Sequence, residues 1–148
     1  MVFLEVPAQL ITQVAFITAV LLILYGVLGL YNNVGLVILE SVADRVASRI
    51  IREVVSSVSE SVMYDGDAVV IVRVGVGVFI EVEGGVLVVK VSLPYQTFFG
   101  GGFISKSYTL PREVGGWSIV YRESALSGDV LVIHARVVSA DSIEVEFR

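Results

Sequence analysis

The feature that most constrains this chain is an N-terminal stretch with almost no charge. From Met1 to Leu39 the only charged side chain is Glu5, and Val14 to Tyr31 gives 18 consecutive uncharged, largely apolar residues. About 20 such residues in a helix cross the hydrocarbon core of a bilayer. Because the run is apolar on every side, its helix must be surrounded by lipid or by other helices. A soluble domain of this size has no room to enclose it.

A cleaved signal peptide is the main alternative explanation of such a run. A signal peptide has a basic n-region, a short apolar core and a small-residue cleavage site. No Lys or Arg precedes Arg45, and the apolar run is longer than a usual signal core. The sequence therefore favours a retained helix.

Helical periodicity continues beyond the apolar run, from Leu36 to Met63. Weak helix formers between Gly26 and Gly35 predict a point where the helix could kink or melt. We expect a helix over residues 1–63, with an apolar half at 1–35 and an amphipathic half at 36–63. The apolar positions of the second half are Val42, Ala43, Val46, Ala47, Ile50, Ile51, Val54, Val55, Val58 and Val62.

From Asp65 onward the hydrophobic period changes to two, the repeat of a β-strand. Short apolar stretches alternate there with Gly, Pro, Asp and Ser, as in a β-sandwich or a small barrel. The predicted strands are 68–74, 78–83, 86–92, 97–99, 103–110, 117–122, 130–137 and 143–147. The expected fold class is α+β, a long apolar N-terminal α-helix followed by an antiparallel β-sandwich-like domain over residues 64–148.

The clearest local signal in this part is the Gly84-Gly85 pair, which predicts a two-residue hairpin turn. That register pairs Glu83 with Val86 and Ile80 with Val89. The side chains expected on the core face are Ile80, Val82, Leu87 and Val89, and those expected on the wetter face are Glu81, Glu83 and Lys90.

Composition excludes several classes of protein. Hydrophobic residues are 55% of the chain and charged residues 17%, which is too apolar for a disordered chain. Without Cys there is no disulfide framework and no thiolate zinc site. A net charge of −5 argues against a nucleic-acid partner, which needs a basic surface.

No pattern of residues predicts an active site. The single His, His134, lies on a strand with no nucleophile nominated beside it. Asp65 and Asp67 lack the further ligands of a calcium loop. The pairs Glu81/Glu83 and Glu144/Glu146 each share one strand face, as solvated carboxylates ordinarily do. We therefore expect no enzyme activity, no cofactor, no metal and no small-molecule substrate.

Glu5 stands apart because it adjoins the apolar span. An isolated carboxylate in an apolar setting is costly without a positive partner. Two interpretations remain open for it: an interfacial residue at the lipid headgroups, or a contact with the N-terminal amine of a neighbouring subunit.

The layout of the whole chain resembles the archaeal type IV pilins and archaellin-like proteins. The segment MVFLEVPAQLITQVAFITAVLLIL places Glu5 where many mature pilins carry a glutamate. The resemblance implies a homopolymeric extracellular filament, with helices bundled in its core and β domains outside, that serves adhesion or motility. It also implies subunits held in the membrane until the type IV pilus assembly machinery incorporates them. The subunit-assembly residues expected on this basis are Glu5, Phe16, Val20, Leu21, Leu24, Leu28 and Tyr31.

Two other hypotheses remain. One is a single-pass, membrane-anchored β-sandwich that binds a cell-envelope partner, like the accessory or stator-like proteins of filaments. The other is an enzyme domain on an anchor, which requires a constellation that converges only in three dimensions. Arg45, Arg49 and Arg52 after the span by themselves predict a cytoplasmic C-terminal side, whereas the resemblance implies the cell surface.

Overall fold

A computed structural model describes residues 7–92 and 103–148, which form one helix and nine strands. The elements are α1 Ala8–Tyr64, β1 Asp67–Arg73, β2 Val78–Glu83, β3 Val86–Ser92, β4 Phe103–Thr109, β5 Glu113–Val114, β6 Trp117–Tyr121, β7 Ser124–Ser127, β8 Val130–Ser139 and β9 Ser142–Phe147. The chain divides into two compact units, the first ending at Gly35 and the second covering Leu36–Arg148. The expected α+β fold class is confirmed.

Helix α1 runs without interruption from Ala8 to Tyr64. The melted stretch that the weak helix formers between Gly26 and Gly35 made possible is therefore not present. A glycine in a helix costs about 1 kcal/mol relative to alanine. The helical backbone hydrogen bonds continue through Gly26 and Gly29 despite this cost.

The end of α1 has a specific cap. Asp65 adopts the left-handed conformation at φ 46°, which Asp tolerates better than most residues. The Gly66 amide donates to the Ser61 carbonyl at 3.1 Å, and the Asp65 amide reaches the Val62 carbonyl at 3.5 Å. This pair of bonds is the Schellman arrangement that stops a helix and turns the chain into the first strand.

The strands form two sheets. Sheet A has five strands in the order β1-β8-β9-β6-β5, and sheet B has four in the order β4-β3-β2-β7. Most pairs are antiparallel, but β6 and β9 run parallel, with Ile119 opposite Ile143. The sequence did not predict this pairing, because it joins strands that are not hairpin neighbours.

The β2–β3 hairpin has the predicted register. Glu83 lies opposite Val86 and Ile80 opposite Val89. Gly84 and Gly85 have φ angles of 56° and 82°, as a type I′ turn requires. The expected core-facing side chains of both strands are buried.

The core of the globular unit, Leu36–Arg148, is shared by both sheets and the second half of α1. Alternate residues of the strands point inward, and α1 contributes a stripe at spacings of three and four residues. The helix residues of this core are Leu39, Ala43, Ala47, Ile50, Val54 and Val58, with Ser57 and Ser61 buried beside them. Alanines and serines on this stripe leave room for the helix to approach the sheets.

The two short strands β5 and β7 were not predicted from the sequence. β5 lies in the stretch expected to be a turn before Trp117, and β7 is only four residues long, Ser124–Ser127. Both are too short and too polar to show a period of two. The predicted strand at 97–99 lies outside the described residues.

Candidate assembly surface

The first unit presents an apolar helix surface that nothing in the described chain covers. Within α1 an 18-residue window has a mean hydropathy of 2.4 and none of its residues is buried. The helix is long and apolar enough to cross a membrane. Moving one large apolar side chain out of water is worth about 1.5–3 kcal/mol. Such a surface therefore needs lipid or protein around it.

The expected assembly residues lie on this surface. At 100° per residue, the six positions from Phe16 to Tyr31 fall within about 140° of the helix circumference, so they form one face. Five of these six side chains are exposed, from 38% for Val20 to 69% for Phe16. The sixth, Leu28, is half-buried. Glu5, the seventh expected residue, lies outside the described residues.

The opposite side of this segment carries smaller residues. Ala15, Ala19 and Gly26 lie there, and a Cβ added at Gly26 or Gly29 would meet nothing within 4 Å. Small residues allow helix backbones to approach closely in a membrane or a bundle. Leu22 and Leu30 lie among these small residues and are exposed as well, so the two sides differ in residue size but both are apolar and uncovered.

The two threonines of the apolar stretch form hydrogen bonds along the helix. The Thr12 hydroxyl donates to the Ala8 carbonyl at 2.9 Å, and the Thr18 hydroxyl donates to the Val14 carbonyl at 2.8 Å. Such bonds to the preceding turn remove the need for water. These two hydroxyl groups therefore need no partner outside the helix.

On the globular unit, the outer face of sheet A carries an ionic network. Arg122 contacts Glu144 at 3.1 Å, and Arg148 contacts Glu146 at 2.9 Å. The hydrogen bond from Arg148 lowers the pKa of Glu146. His134 Nε2 lies 3.3 Å from Asp67 Oδ2 at one side of this network. Glu144 and Glu146 each have an arginine neighbour that compensates their charge.

A second polar cluster links α1 to the edge strand β4. Lys106 Nζ donates to Asp44 Oδ1 at 2.7 Å, and the Tyr108 hydroxyl donates to the same oxygen at 2.6 Å. The hydrogen bond from Lys106 and then that from Tyr108 lower the pKa of Asp44. The pKa of Lys106 is raised by its hydrogen bond with Asp44, and that of Tyr108 is raised by desolvation and then by Asp44.

Sequence reasoning missed this cluster. Lys106 and Tyr108 lie two residues apart on one strand, so their common face was readable. Their partner is 62 and 64 residues away along the chain, and no local pattern relates the helix register to that strand.

Of the residues considered for catalysis, His134, Glu144 and Glu146 line one small pocket on sheet A together with arginines, whereas the others do not line it. Glu81 is paired with Lys90 at 2.8 Å, and His134 with Asp67. Within residues 7–92 and 103–148, no three His, Asp or Glu side chains are placed to hold a metal ion. The largest uncovered feature of the described structure is the apolar helix surface.

Comparisons with known proteins add no relative. The chain matches no family model, no curated protein and no solved structure.

Proposed function

We propose that this chain is a structural subunit of an extracellular, type IV pilus-like filament. The apolar segments of many copies bundle into the filament core, and the globular units form its outer layer. The single observation that carries the proposal is the charge-free segment of α1 without buried residues, continuous with a helix half whose side chains pack into a β-rich unit. The resemblance of the N-terminal segment to archaeal pilins supplies the class of filament.

Subunit geometry favours a polymer of this kind. A helix that offers different faces on its two sides can pack against neighbours heterologously, and such contacts generate helical filaments when the rotation does not close. On this proposal the subunit waits in the membrane through the same segment, and the type IV pilus assembly machinery withdraws it. The bulky face from Phe16 to Tyr31 then exchanges lipid for neighbouring helices.

The alternative is a single-pass anchor that holds a β-rich binding module at the cell envelope. The uncovered segment of α1 also favours this function, because one apolar helix of this length suffices to span a bilayer. The two functions differ in what surrounds the helix: other copies of it in a filament, lipid alone in an anchor.

Electron microscopy of the sheared cell-surface fraction, with intact mass to identify the subunit, is the first test. Filaments composed of this chain are expected. Their absence, with the chain confined to the membrane fraction, would overturn the filament proposal in favour of the anchor.

A double variant, Leu24→Ala with Leu28→Ala, then tests the helix core. It removes side-chain volume but keeps the segment apolar, so the membrane fraction should still contain the chain. In a packed bundle each buried Leu→Ala costs about 2–5 kcal/mol, so filaments should be lost or fragile. Val138→Ala, an exposed position of the globular unit, is the matched control and should assemble normally.

Glu5→Ala extends the test to the residue that the resemblance singles out, and we expect slow or blocked assembly. Normal filaments from both the double leucine variant and Glu5→Ala would refute a helix-bundled core, even where filaments exist.

A further inference from the structure

β1 is an edge strand of sheet A whose exposed face is apolar at its centre. It pairs with β8 on one side, and among the described residues no strand pairs with its other side. Val69 and Ile71 are 58% and 68% exposed, and Val130 beside the strand's end is exposed as well. No Lys, Pro or bulge interrupts this strand, although such devices usually protect an edge from pairing.

The hydrogen bonds of the sheet define which backbone groups of β1 are free. The Val74 amide donates to the Asp129 carbonyl at 2.8 Å. On the side of β8 that faces away from β1, the Val132 amide donates to the Arg148 carbonyl and the Arg148 amide donates to the Val132 carbonyl. Because groups alternate along a strand, the even-numbered residues of β1 bond to β8. Asp67, Val69, Ile71 and Arg73 therefore direct their N–H and C=O groups to the open edge.

This open edge is complementary to itself. In an antiparallel pair of two β1 strands centred on Val70, Asp67 of one copy lies opposite Arg73 of the other, and Val69 lies opposite Ile71. All four of these residues direct backbone groups to the open edge, so the two strands can form hydrogen-bonded pairs in this register. The opposite charges at the two ends attract, whereas a shift of register by two residues separates them.

One existing contact lies at this edge. Arg49 Nη1 approaches the Arg73 carbonyl at 3.4 Å. A carbonyl oxygen has two lone pairs, so it can accept this long bond together with one from a partner strand.

We propose that β1 is a homodimerisation edge, where a second copy of this chain adds its own β1 antiparallel and joins two copies of sheet A. The contact is isologous and closes on itself, so it does not propagate a polymer. It is separate from the helix packing of the proposed filament. It joins copies in adjacent filaments or copies not yet assembled.

Disulfide trapping of the full chain in mild detergent tests the contact, because the chain has no Cys. Val70→Cys lies opposite itself on the two-fold axis, where paired Cα atoms are about 4.5 Å apart, within disulfide range. We expect most of this variant to form a covalent dimer under mild oxidation. The matched control is Val120→Cys, exposed on β6 of the same sheet and about 14 Å from β1 at the usual strand spacing, and it should remain monomeric.

Equal cross-linking of Val70→Cys and Val120→Cys would overturn the proposal. Since Val70 is half-buried, a mixture of Val69→Cys and Ile71→Cys chains provides a second measurement at two exposed sites. A mixed disulfide between them, identified by peptide mass, supports the register, and its absence contradicts it.

Charge exchange then tests the ends of the strand. In the Val70→Cys background, Arg73→Glu places like charges opposite each other at both ends, and we expect dimer formation to weaken about tenfold. Adding Asp67→Lys should restore it. No loss with the single change, or no recovery with the double change, would refute the self-complementary register.

Discussion

Replacing Ile50 by Ala measures how far the second half of α1 belongs to the core of the globular unit. Ile50 is 0% exposed and among the largest fully buried side chains. The substitution removes three carbon groups, worth about 2.4 kcal/mol at ~0.8 kcal/mol each. The residual cavity adds to this, so we expect the free energy of unfolding to fall by about 3–4 kcal/mol.

The control is the same substitution at Ile38, which lies on the same helix but is 53% exposed. We expect Ile38→Ala to change the free energy of unfolding by less than about 0.5 kcal/mol, as surface substitutions usually do.

The assay is denaturant unfolding of the full chain in a mild non-ionic detergent, followed by tryptophan fluorescence. The chain has a single Trp, and Trp117 is half-buried against the core, so its signal reports the globular unit. Equal losses for the two variants, or a loss below about 1 kcal/mol for Ile50→Ala, would refute the assignment of α1 to this core.

Two further predictions concern the links and turns of the same unit. The pKa of Asp44 is lowered and that of Lys106 is raised, so their contribution to stability should be present between about pH 5 and pH 10 and lost progressively outside that range. Asp44→Asn should therefore reduce the loss of unfolding free energy as the pH falls below about 5. An unchanged loss at acidic pH would contradict this. Gly77 has a φ of 77°, and an added Cβ would lie 3.1 Å from the Ser92 carbonyl oxygen, so Gly77→Ala should lower the unfolding free energy by more than about 1 kcal/mol. Gly66→Ala, where the nearest atom to a Cβ lies at 3.7 Å, is its control and should cost less, as measured by thermal unfolding.

The parts of the fold that follow from neighbouring residues were predictable. The β2–β3 hairpin is set by the Gly84-Gly85 turn and by alternation along two adjacent strands, so both its register and its buried face agree with the sequence. The helix was predictable for the same reason, since its period and its lack of charge are local properties. Only its continuity through Gly26 and Gly29 differed, where the expected weakness was overestimated.

The parts that depend on distant residues were not predictable. The parallel pairing of Ile119 with Ile143 and the contact of Asp44 with Lys106 each join segments that share no local pattern. Short β7 has too few residues to show a period. The sequence could predict that the first part of the helix is apolar. Because two faces of that helix are uncovered, its residues do not determine which face contacts a neighbouring subunit.

The position of β9 has a consequence for the order of events during synthesis. β9 lies between β8 and β6 in sheet A, so that sheet stays incomplete until Phe147 has left the ribosome. At 5–20 residues per second, the synthesis of α1 is complete about 4–17 s before that moment. During this interval α1 exists without the β-rich unit against which its second half packs. On the proposed function, this interval allows the apolar segment to enter a bilayer before sheet A is complete.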